Sequence, residues 1–401
     1  MTLDRRTLML AAGAMAGASA AARAQGADRF AAVDAALHPL VDQHKLAGVV
    51  TLVAQKGKLR HLDAYGVLDA SKPDPVRTDS IFRLASMTKP IVGAAMMMLW
   101  EEGRWTLDDP VSKHIPEFAG LKVKGPGGTL VAQRTPMTMR QLMSHTAGFD
   151  VSAGYEGIDL RAGGLPGMIK TLSGLPLAAQ PGTDWRYGPS VDIQGYVVEK
   201  LSGKGLDVFL QERLFGPLGM TDTAFWVDPS KADRVARVHT YKDGVVVPMG
   251  DRNTFPTSRP PFLSGSGGLF SKAEDYWRFA QMMLDGGVQG GRRYLKASTV
   301  QLMRTNVLAP GVEVDLYSPD ARGLEFGLDF AITRDPALAK SSQAKGSFYW
   351  GGAFGTWFWI DPANQLIVIG LIQNVNGSTP GRGTPPVREL SAQAAYGALK
   401  A

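Results

Sequence analysis

The stretch Ser86-Met87-Thr88-Lys89-Pro90 runs directly into an apolar segment at residues 91–100. That segment is apolar all the way round, which is typical of a helix buried on every face. Proline is tolerated in the first turn of a helix, where its missing N–H would have no intrahelical partner. We therefore predict a buried helix that begins at or near Ser86, with Ser86 and Lys89 on one face.

The start of this helix gives Ser86 and Lys89 a chemical role. A hydroxyl there lies at the positive end of the helix dipole, beside backbone N–H groups that can receive an oxyanion. A lysine held against a buried helix loses hydration, which disfavours its ammonium form, and neutral lysine can accept a proton. A second Ser-x-x-Lys, from Ser342 to Lys345, lies in a polar stretch without a helical period. We do not expect its side chains to be held together.

The first 24 residues have the composition of an export signal. Arg5 and Arg6 precede an apolar run, and small residues surround Ala24, so residues 1–24 are predicted to be a signal peptide cleaved near Ala24. The arginine pair indicates twin-arginine export, although Leu8 stands where a phenylalanine is usual. We expect the mature chain, residues 25–401, to be periplasmic or secreted.

The composition of the 401 residues argues against several classes of protein. The net charge is +6 and the basic residues are scattered, so no nucleic-acid partner is predicted. No mature apolar run approaches about 18 residues, so no membrane span is expected. There is no cysteine, and the six histidines are dispersed, so we predict no disulfide, no metal site and no cofactor. The oligomeric state is not indicated.

Predicted strands lie at both ends of the mature chain. Residues 48–55 and 59–66 read as a hairpin, and residues 355–360 and 366–373 as two further strands, followed by a helix at 387–399. The middle is poor in strands, and Ser271 to Glu274 fits a capping box before a helix at 276–284. We predict an α+β fold with one catalytic unit. The two ends, 25–85 and 290–401, form a sheet lobe, and 86–289 form an inserted helix-rich lobe.

Four motifs in order resemble the serine β-lactamase-like superfamily. They are Ser86 to Lys89, Gln-Leu-Met-Ser-His-Thr-Ala-Gly-Phe at 141–149, Pro-Gly-Thr-Asp-Trp-Arg-Tyr at 181–187 and Gly-Ser-Gly-Gly-Leu-Phe-Ser at 265–271. The resemblance covers almost all of the mature chain and is strongest to the class C branch, within it to the family VIII carboxylesterases. It implies a β-lactamase/transpeptidase-like fold, with an antiparallel sheet flanked by helices.

The third element of that superfamily departs from its usual Lys or His start. This chain has Trp350-Gly351-Gly352-Ala353, which is similar to the Trp-Gly-Gly version of the esterase branch. An indole cannot form a salt bridge with a substrate carboxylate. Pro189 also stands where the Tyr-x-Asn element has its asparagine, which removes a polar group for a peptide-like ligand. These departures favour an apolar acyl ester, and we expect Trp350, Gly351, Gly352 and Pro189 to line the substrate site.

The resemblance implies roles for individual residues. Ser86 is the expected nucleophile, and Lys89 and Tyr187 share the proton transfer, with the identity of the base left open. The backbone N–H groups of Ser86 and Ala353 are expected to form the oxyanion hole. His145 falls in a motif that the resemblance makes a structural turn. The chain has no Gly-x-Ser-x-Gly, which weighs against an α/β-hydrolase.

These observations predict an exported serine hydrolase that acts on a small-molecule ester or amide. The first hypothesis is a carboxylesterase, with acyl transfer as an added activity, that works through an acyl-enzyme on Ser86. The alternative is a β-lactamase, D,D-peptidase or D-aminopeptidase on the same scaffold, which the periplasmic compartment favours. An inactive binding protein is a third hypothesis, and the presence of Ser86, Lys89 and Tyr187 weighs against it.

Overall fold

The computed structural model describes residues 28–150, 159–315, 319–375 and 385–400. The predicted signal peptide at residues 1–24 lies outside these ranges. Within them, no helix combines the length and the apolar character needed to cross a membrane.

One antiparallel sheet of seven strands joins the two ends of the described chain. Its strands are β1 Gly48–Gln55, β2 Lys58–Gly66, β3 Leu324–Phe326, β4 Ala331–Thr333, β5 Phe348–Gly351, β6 Trp357–Asp361 and β7 Leu366–Leu371. Their spatial order is β3-β4-β5-β6-β7-β1-β2. Strand β1 therefore pairs with β7, and Val53 lies opposite Val368. The predicted β1–β2 hairpin is confirmed, and Lys56 and Gly57 at its turn both have positive φ.

Helices account for most of the remaining regular structure in the described ranges. The α-helices are α1 Ala32–Asp42, α2 Lys89–Glu101, α3 Met139–Met143, α4 Gly164–Ser173, α5 Ser190–Ser202, α6 Leu206–Leu210, α7 Ala273–Leu284, α8 Ala297–Met303 and α9 Val387–Lys400, with a single turn at Gly216–Leu218 after the π-helical Gln211–Phe215. The 3₁₀ segments are Arg29–Ala31, Ala85–Thr88, Val111–Lys113, Pro116–Phe118, Pro126–Gly128, Pro229–Arg234, Gly250–Asn253 and Pro319–Gly323.

Four two-stranded pairings lie outside the main sheet in these ranges. They are Phe82–Arg83 with Phe270–Ser271, Val123–Lys124 with Leu130–Val131, His239–Lys242 with Val245–Pro248, and Val288–Gln289 with Arg292–Arg293.

Both faces of the main sheet are covered. Successive side chains of a strand point to opposite sides, so each strand contributes to two apolar clusters. Val49, Val53 and Trp359 pack in one apolar cluster with residues of α1 and α9. Val50 and Phe358 face the other way, into the larger cluster that includes α2 and α7. Helix α7 lies on this face although its residues fall in the predicted helix-rich lobe, and it contacts β1, β6 and β7.

Helix α2 is the buried helix that the sequence predicts. Its residues from Lys89 to Leu99 are all buried, and Pro90 lies in its first turn. The α-helix begins at Lys89, and Ser86 lies on the 3₁₀ turn Ala85–Thr88 immediately before it. The start at Ser86 is therefore a tighter turn than predicted, and it still places Ser86 at the entrance of the helix.

The predicted capping box at Ser271 is wrong. The N-cap of α7 is Lys272, without a side-chain cap, because the Ser271 hydroxyl is hydrogen-bonded to that of Thr223, 2.7 Å away. A capping box does occur at α3, where Thr138 and Gln141 bond reciprocally.

Gly370 of β7 lies under the indole of Trp357, and a Cβ there would stand 2.0 Å from a ring carbon of that indole. We expect Gly370→Ala to lower the free energy of unfolding by about 1–3 kcal/mol, because the ring must move within a packed layer. Urea unfolding at equilibrium measures the change.

Gly397→Ala is the matched control, since a Cβ at that position of α9 meets nothing within 4 Å. It should raise the free energy of unfolding by roughly 0.5–1 kcal/mol through helix propensity. Equal unfolding midpoints for the two variants would contradict the packing role of Gly370.

Candidate active site

The backbone around Ser86 is held by hydrogen bonds from the residue before β6 of the main sheet and from α7. The carbonyl of Leu84 accepts from Thr356 Oγ1 at 2.9 Å, next to the start of β6. The carbonyl of Met87 accepts from the hydroxyl of Tyr276 in α7 at 3.0 Å. The 3₁₀ turn that carries Ser86 is thus fixed relative to both the sheet and α7.

The turn after β5 presses against the residues that precede Ser86. A Cβ on Gly352 would stand 2.4 Å from the carbonyl oxygen of Leu84 and 3.2 Å from Cβ of Ala85. Ala85 itself has φ +47°, a region that residues with a side chain rarely adopt. Within the described ranges, neither the Ser86 N–H nor the Ala353 N–H donates a hydrogen bond. Both donors are therefore free to bind a ligand oxygen.

Lys89 connects Ser86 to Tyr187. It is 3% exposed, and its Nζ donates to Ser86 Oγ at 3.3 Å and to the carbonyl oxygen of Ser266 at 2.7 Å. The same Nζ lies 4.5 Å from the ring centroid of Tyr187, within the range of a cation–π contact. The structure thus brings the three residues predicted for catalysis to one place.

Asp192 of α5 positions the loop whose carbonyl accepts a hydrogen bond from Lys89 Nζ, a role that sequence analysis missed. Its Oδ1 accepts from the Ser266 N–H at 2.9 Å and from Ser264 Oγ at 2.8 Å. In return, the Asp192 N–H donates to Ser266 Oγ at 3.1 Å. Because these bonds fix Ser266, its carbonyl is held for Lys89. The available signal was an acid in the first turn of a helix that directly follows the Tyr187 motif.

Tyr187 packs in an aromatic cluster with Trp350, Trp185, His145 and Phe326. Its ring centroid is 5.7 Å from that of Trp350, 5.9 Å from Trp185 and 5.0 Å from His145. Trp350 is only 6% exposed, and its Nε1 has no hydrogen-bond partner among the described residues. The indole therefore packs mainly against Tyr187, and only a small part of its surface is accessible to a substrate.

Two of the other three residues predicted to line the substrate site, Gly351 and Pro189, are less accessible than that prediction requires. A Cβ on Gly351 would stand 2.1 Å from the guanidinium of Arg388 in α9, so this position faces the terminal helices rather than the side of Trp350. Pro189 is buried in the N-cap position of α5.

His145 is fully buried, and both ring nitrogens lack a hydrogen-bond partner among the described residues. Burial, followed by the positive charge of Lys89, holds the pKa of His145 well below its usual value. The imidazole is therefore neutral, and its φ of +59° places it in a tight turn.

Asp329 is a second buried group that sequence analysis missed. Its Oδ1 accepts from Gln194 Nε2 at 3.1 Å, and its Oδ2 would stand 2.6 Å from a Cβ on Gly93, one turn after Lys89 in α2. Burial raises the pKa of Asp329 well above its usual value. The signal that could have found it is a single acid in the apolar run at residues 328–332.

One further sequence feature and one cluster that sequence analysis did not predict lie apart from these contacts. Ser342 of the second Ser-x-x-Lys is on a loop, where its hydroxyl donates to Glu389 Oε1 at 2.8 Å. Among the described residues, Asp34, His38 and Asp63 on α1 and β2 have possible metal-ligand atoms within 4.8 Å of one another. His38 Nε2 and Asp63 Oδ2 already form a hydrogen bond of 2.8 Å there.

Comparison with known proteins identifies the class first. The structure of EstCE1, described as a hydrolase with promiscuous acyltransferase activity, superposes with a TM-score of 0.78 at 24% identity, covering 92% of this chain and 98% of that one. The penicillin-binding protein homologue from Pyrococcus abyssi superposes with a TM-score of 0.68 at 19% identity, covering 91% of this chain and 77% of that one, so the fold is β-lactamase/transpeptidase-like, as predicted. The chain belongs to the Beta-lactamase family, whose sequence model matches residues 33–393.

Curated relatives span nearly the whole chain. Protein Rv1367c of Mycobacterium tuberculosis is 32% identical over 382 residues, which cover 89% of this chain and 94% of that protein. Esterase EstB of Burkholderia gladioli is 29% identical over 385 residues, covering 90% and 94% respectively. The predicted family is thus confirmed.

The buried imidazole makes stability depend on pH. Below about pH 6.5 the unfolded chain binds a proton at His145 that the folded chain does not, so this residue lowers stability by about 1.4 kcal/mol per pH unit until its folded pKa is reached. We expect His145→Asn, which tolerates positive φ, to show a shallower loss of stability between pH 7 and pH 5. Denaturant unfolding across this pH range measures it.

His44→Asn provides the control, because His44 also has positive φ and is exposed. This variant should keep the wild-type pH dependence. If His145→Asn loses stability between pH 7 and pH 5 as steeply as the wild type, the buried imidazole does not cause this pH dependence.

Proposed function

We propose that the protein is a serine hydrolase that cleaves carboxylic esters through an acyl-enzyme on Ser86 and also transfers the acyl group to alcohols. The observation that carries this proposal is the position of Lys89 Nζ, 3.3 Å from Ser86 Oγ in a buried site. The identity of 29% with a protein named as an esterase supports the same reaction.

The first half of the reaction forms the acyl-enzyme. Ser86 Oγ attacks the ester carbonyl while its proton passes to the Lys89–Tyr187 pair, since a serine hydroxyl needs a base to become a strong nucleophile. The N–H groups of Ser86 and Ala353 stabilise the resulting oxyanion. When the C–O bond breaks, the pair returns the proton to the leaving alcohol.

The second half regenerates the enzyme. Water attacks the acyl carbonyl, gives up a proton to the same pair, and the acid leaves as Ser86 Oγ is reprotonated. If an alcohol takes the place of water, the product is a new ester. The strained Ala85 and the bonds that fix Leu84 and Met87 keep Ser86 oriented through both halves.

An ester is preferred to a lactam or a peptide because of the third element. Trp350 stands where related enzymes have a cation, so this position offers no salt bridge to a substrate carboxylate. Pro189 likewise provides no amide for a peptide side chain.

We further propose that the mature enzyme acts in the periplasm or outside the cell, on the basis of the signal composition of residues 1–24.

We expect p-nitrophenyl butyrate to be hydrolysed faster than a chromogenic cephalosporin or a D-alanyl anilide. Ser86→Ala should lower kcat for the ester by roughly 10⁶-fold without changing the fold, because the nucleophile is lost. Initial rates on the three substrates, together with circular dichroism of the variant, measure both effects.

Ser342→Ala is the control and should keep the wild-type rate, because its hydroxyl is bonded to Glu389. A fluorophosphonate should add one mass increment, on Ser86. An adduct on Ser342, or a cephalosporin rate above that of the ester, would overturn the proposal.

The oxyanion donor can be removed without changing the nucleophile. Ala353→Pro lacks the N–H, and we expect kcat for the ester to fall about 10²–10³-fold, the usual effect of losing one such donor. Steady-state kinetics on p-nitrophenyl butyrate measures it. Ala353→Gly keeps the N–H and should stay near the wild-type kcat. A proline variant that is folded and as active as the glycine variant would exclude the role of Ala353.

A further inference from the structure

Asp329 is a buried carboxyl outside the group formed by Ser86, Lys89 and Tyr187. It lies on the turn between β3 and β4, is 1% exposed and has a φ of +60°, a region that residues with a side chain rarely adopt. Its N–H donates to the carbonyl oxygen of Met143 at 3.0 Å, so the turn is fixed against the end of α3. A strained turn that carries an acid into the core indicates a role for that acid.

The carboxyl of Asp329 lies against the helix that begins with Lys89. Its Oδ1 accepts from Gln194 Nε2 of α5 at 3.1 Å, whereas Oδ2 has no hydrogen-bond partner among the described residues. A Cβ on Gly93 would stand 2.6 Å from that Oδ2, so a glycine at this position leaves the room that the carboxyl needs. Residues 89 and 93 are four positions apart in α2. The carboxyl therefore contacts the face of the helix that carries Lys89, one turn away.

Within the described ranges, Lys89 is the cation that acts on this carboxyl. Burial raises the pKa of Asp329 well above its usual value, whereas the hydrogen bond from Gln194 and the positive charge of Lys89 favour its ionised form. The elements packed around the turn also carry Asp192 on α5, His145 after α3 and Arg304 after α8. The first binds the loop of Ser266, the second is neutral, and the third lies over the ring of Phe348.

The charges of Asp329 and Lys89 depend on each other. A free aspartic acid loses its proton at about pH 3.9 and a free lysine at about pH 10.4, so the acid ionises first even when burial raises its pKa by several units. Once ionised, a buried carboxylate stabilises a neighbouring ammonium strongly, because little water is present to screen the two charges. The carboxylate thus opposes the loss of hydration that disfavours the ammonium form of a buried lysine.

The other contacts of Lys89 also suit an ammonium group. The carbonyl oxygen of Ser266, 2.7 Å from Nζ, can only accept a hydrogen bond. The ring of Tyr187, whose centroid is 4.5 Å from Nζ, attracts a cation. Neither the carbonyl nor a neutral phenol carries a formal charge. The carboxylate of Asp329 supplies the negative charge that these two contacts lack.

We propose that Asp329 is a positioning residue whose carboxylate holds Lys89 in its ammonium form, ready to return a proton to the leaving alcohol. The inference rests on the proposed esterase function and adds the group that controls its proton transfer. Asp329 acts through Lys89 and not on the substrate, because its carboxyl is buried between α2 and α5.

The test removes the charge and keeps the turn. Asp329→Asn retains the shape and an acceptor for Gln194, and Asp329→Gly suits the positive φ. Lysine labelled with ¹³C at Cε reports the protonation of each amine by NMR, and the signal missing from Lys89→Arg identifies Lys89. We expect the midpoint of that signal in a pH titration to fall by at least about 0.5 pH units in both variants, because the ammonium loses its counter-charge.

Asp243→Asn is the matched control, since Asp243 also has positive φ but is exposed, on the turn of the hairpin at residues 239–248. It should keep the wild-type midpoint. Circular dichroism checks that each variant is folded. A Lys89 midpoint equal to or above that of the wild type in the folded Asp329 variants would overturn the inference.

Activity provides a second readout with ethyl butyrate, whose alcohol must receive a proton as it leaves. In Asp329→Asn, the decline of kcat/KM at alkaline pH should begin at lower pH than in the wild type, as measured by acid release in a pH-stat. An alkaline decline that does not move would contradict the role of Asp329 in returning the proton. Failure of the wild type to hydrolyse this ester would overturn the proposed function, whereas the Lys89 titration needs no substrate and decides separately whether Asp329 holds the ammonium.

Discussion

The candidate site depends on the burial of one amine. Lys89 begins a helix that is buried on all sides, so its Nζ has little access to water and is held by Ser86 Oγ and the carbonyl of Ser266. Each of these partners is held in turn, Ser86 by bonds to its neighbours from two layers and Ser266 by Asp192. The geometry of the nucleophile therefore depends on contacts with distant parts of the fold, and a short local motif does not determine it.

The parts of the site that sequence analysis predicted are those encoded locally or in family motifs. Ser86 and Lys89 are three residues apart at a proline-marked helix start, and Tyr187 ends a recognisable motif. Asp192 and Asp329 were missed because their partners are distant in sequence, 74 residues away for Ser266 and 135 for Gln194. A hydrogen bond across such a separation leaves no periodic pattern in the chain.

The fold shows the same division between local and distant determinants. The β1–β2 hairpin and the buried α2 could be predicted because turn residues and apolar runs mark them directly. The capping box at Ser271 failed because its hydroxyl is engaged by Thr223, 48 residues away. The 3₁₀ turn at Ser86 and the positive φ of Ala85 likewise depend on contacts with Gly352, which no rule of local propensity includes.

The pairing of β1 with β7 has a consequence for how the chain folds. Val53 and Val368 are neighbours in the sheet, so strand β1 lacks one partner until the strand 315 positions further along the chain has been synthesised. Such long-range pairing slows folding, because a large loop must close before its contacts form. The nascent chain therefore carries an open strand edge until β7 has emerged from the ribosome, which is the period when a holdase chaperone would protect it from aggregation.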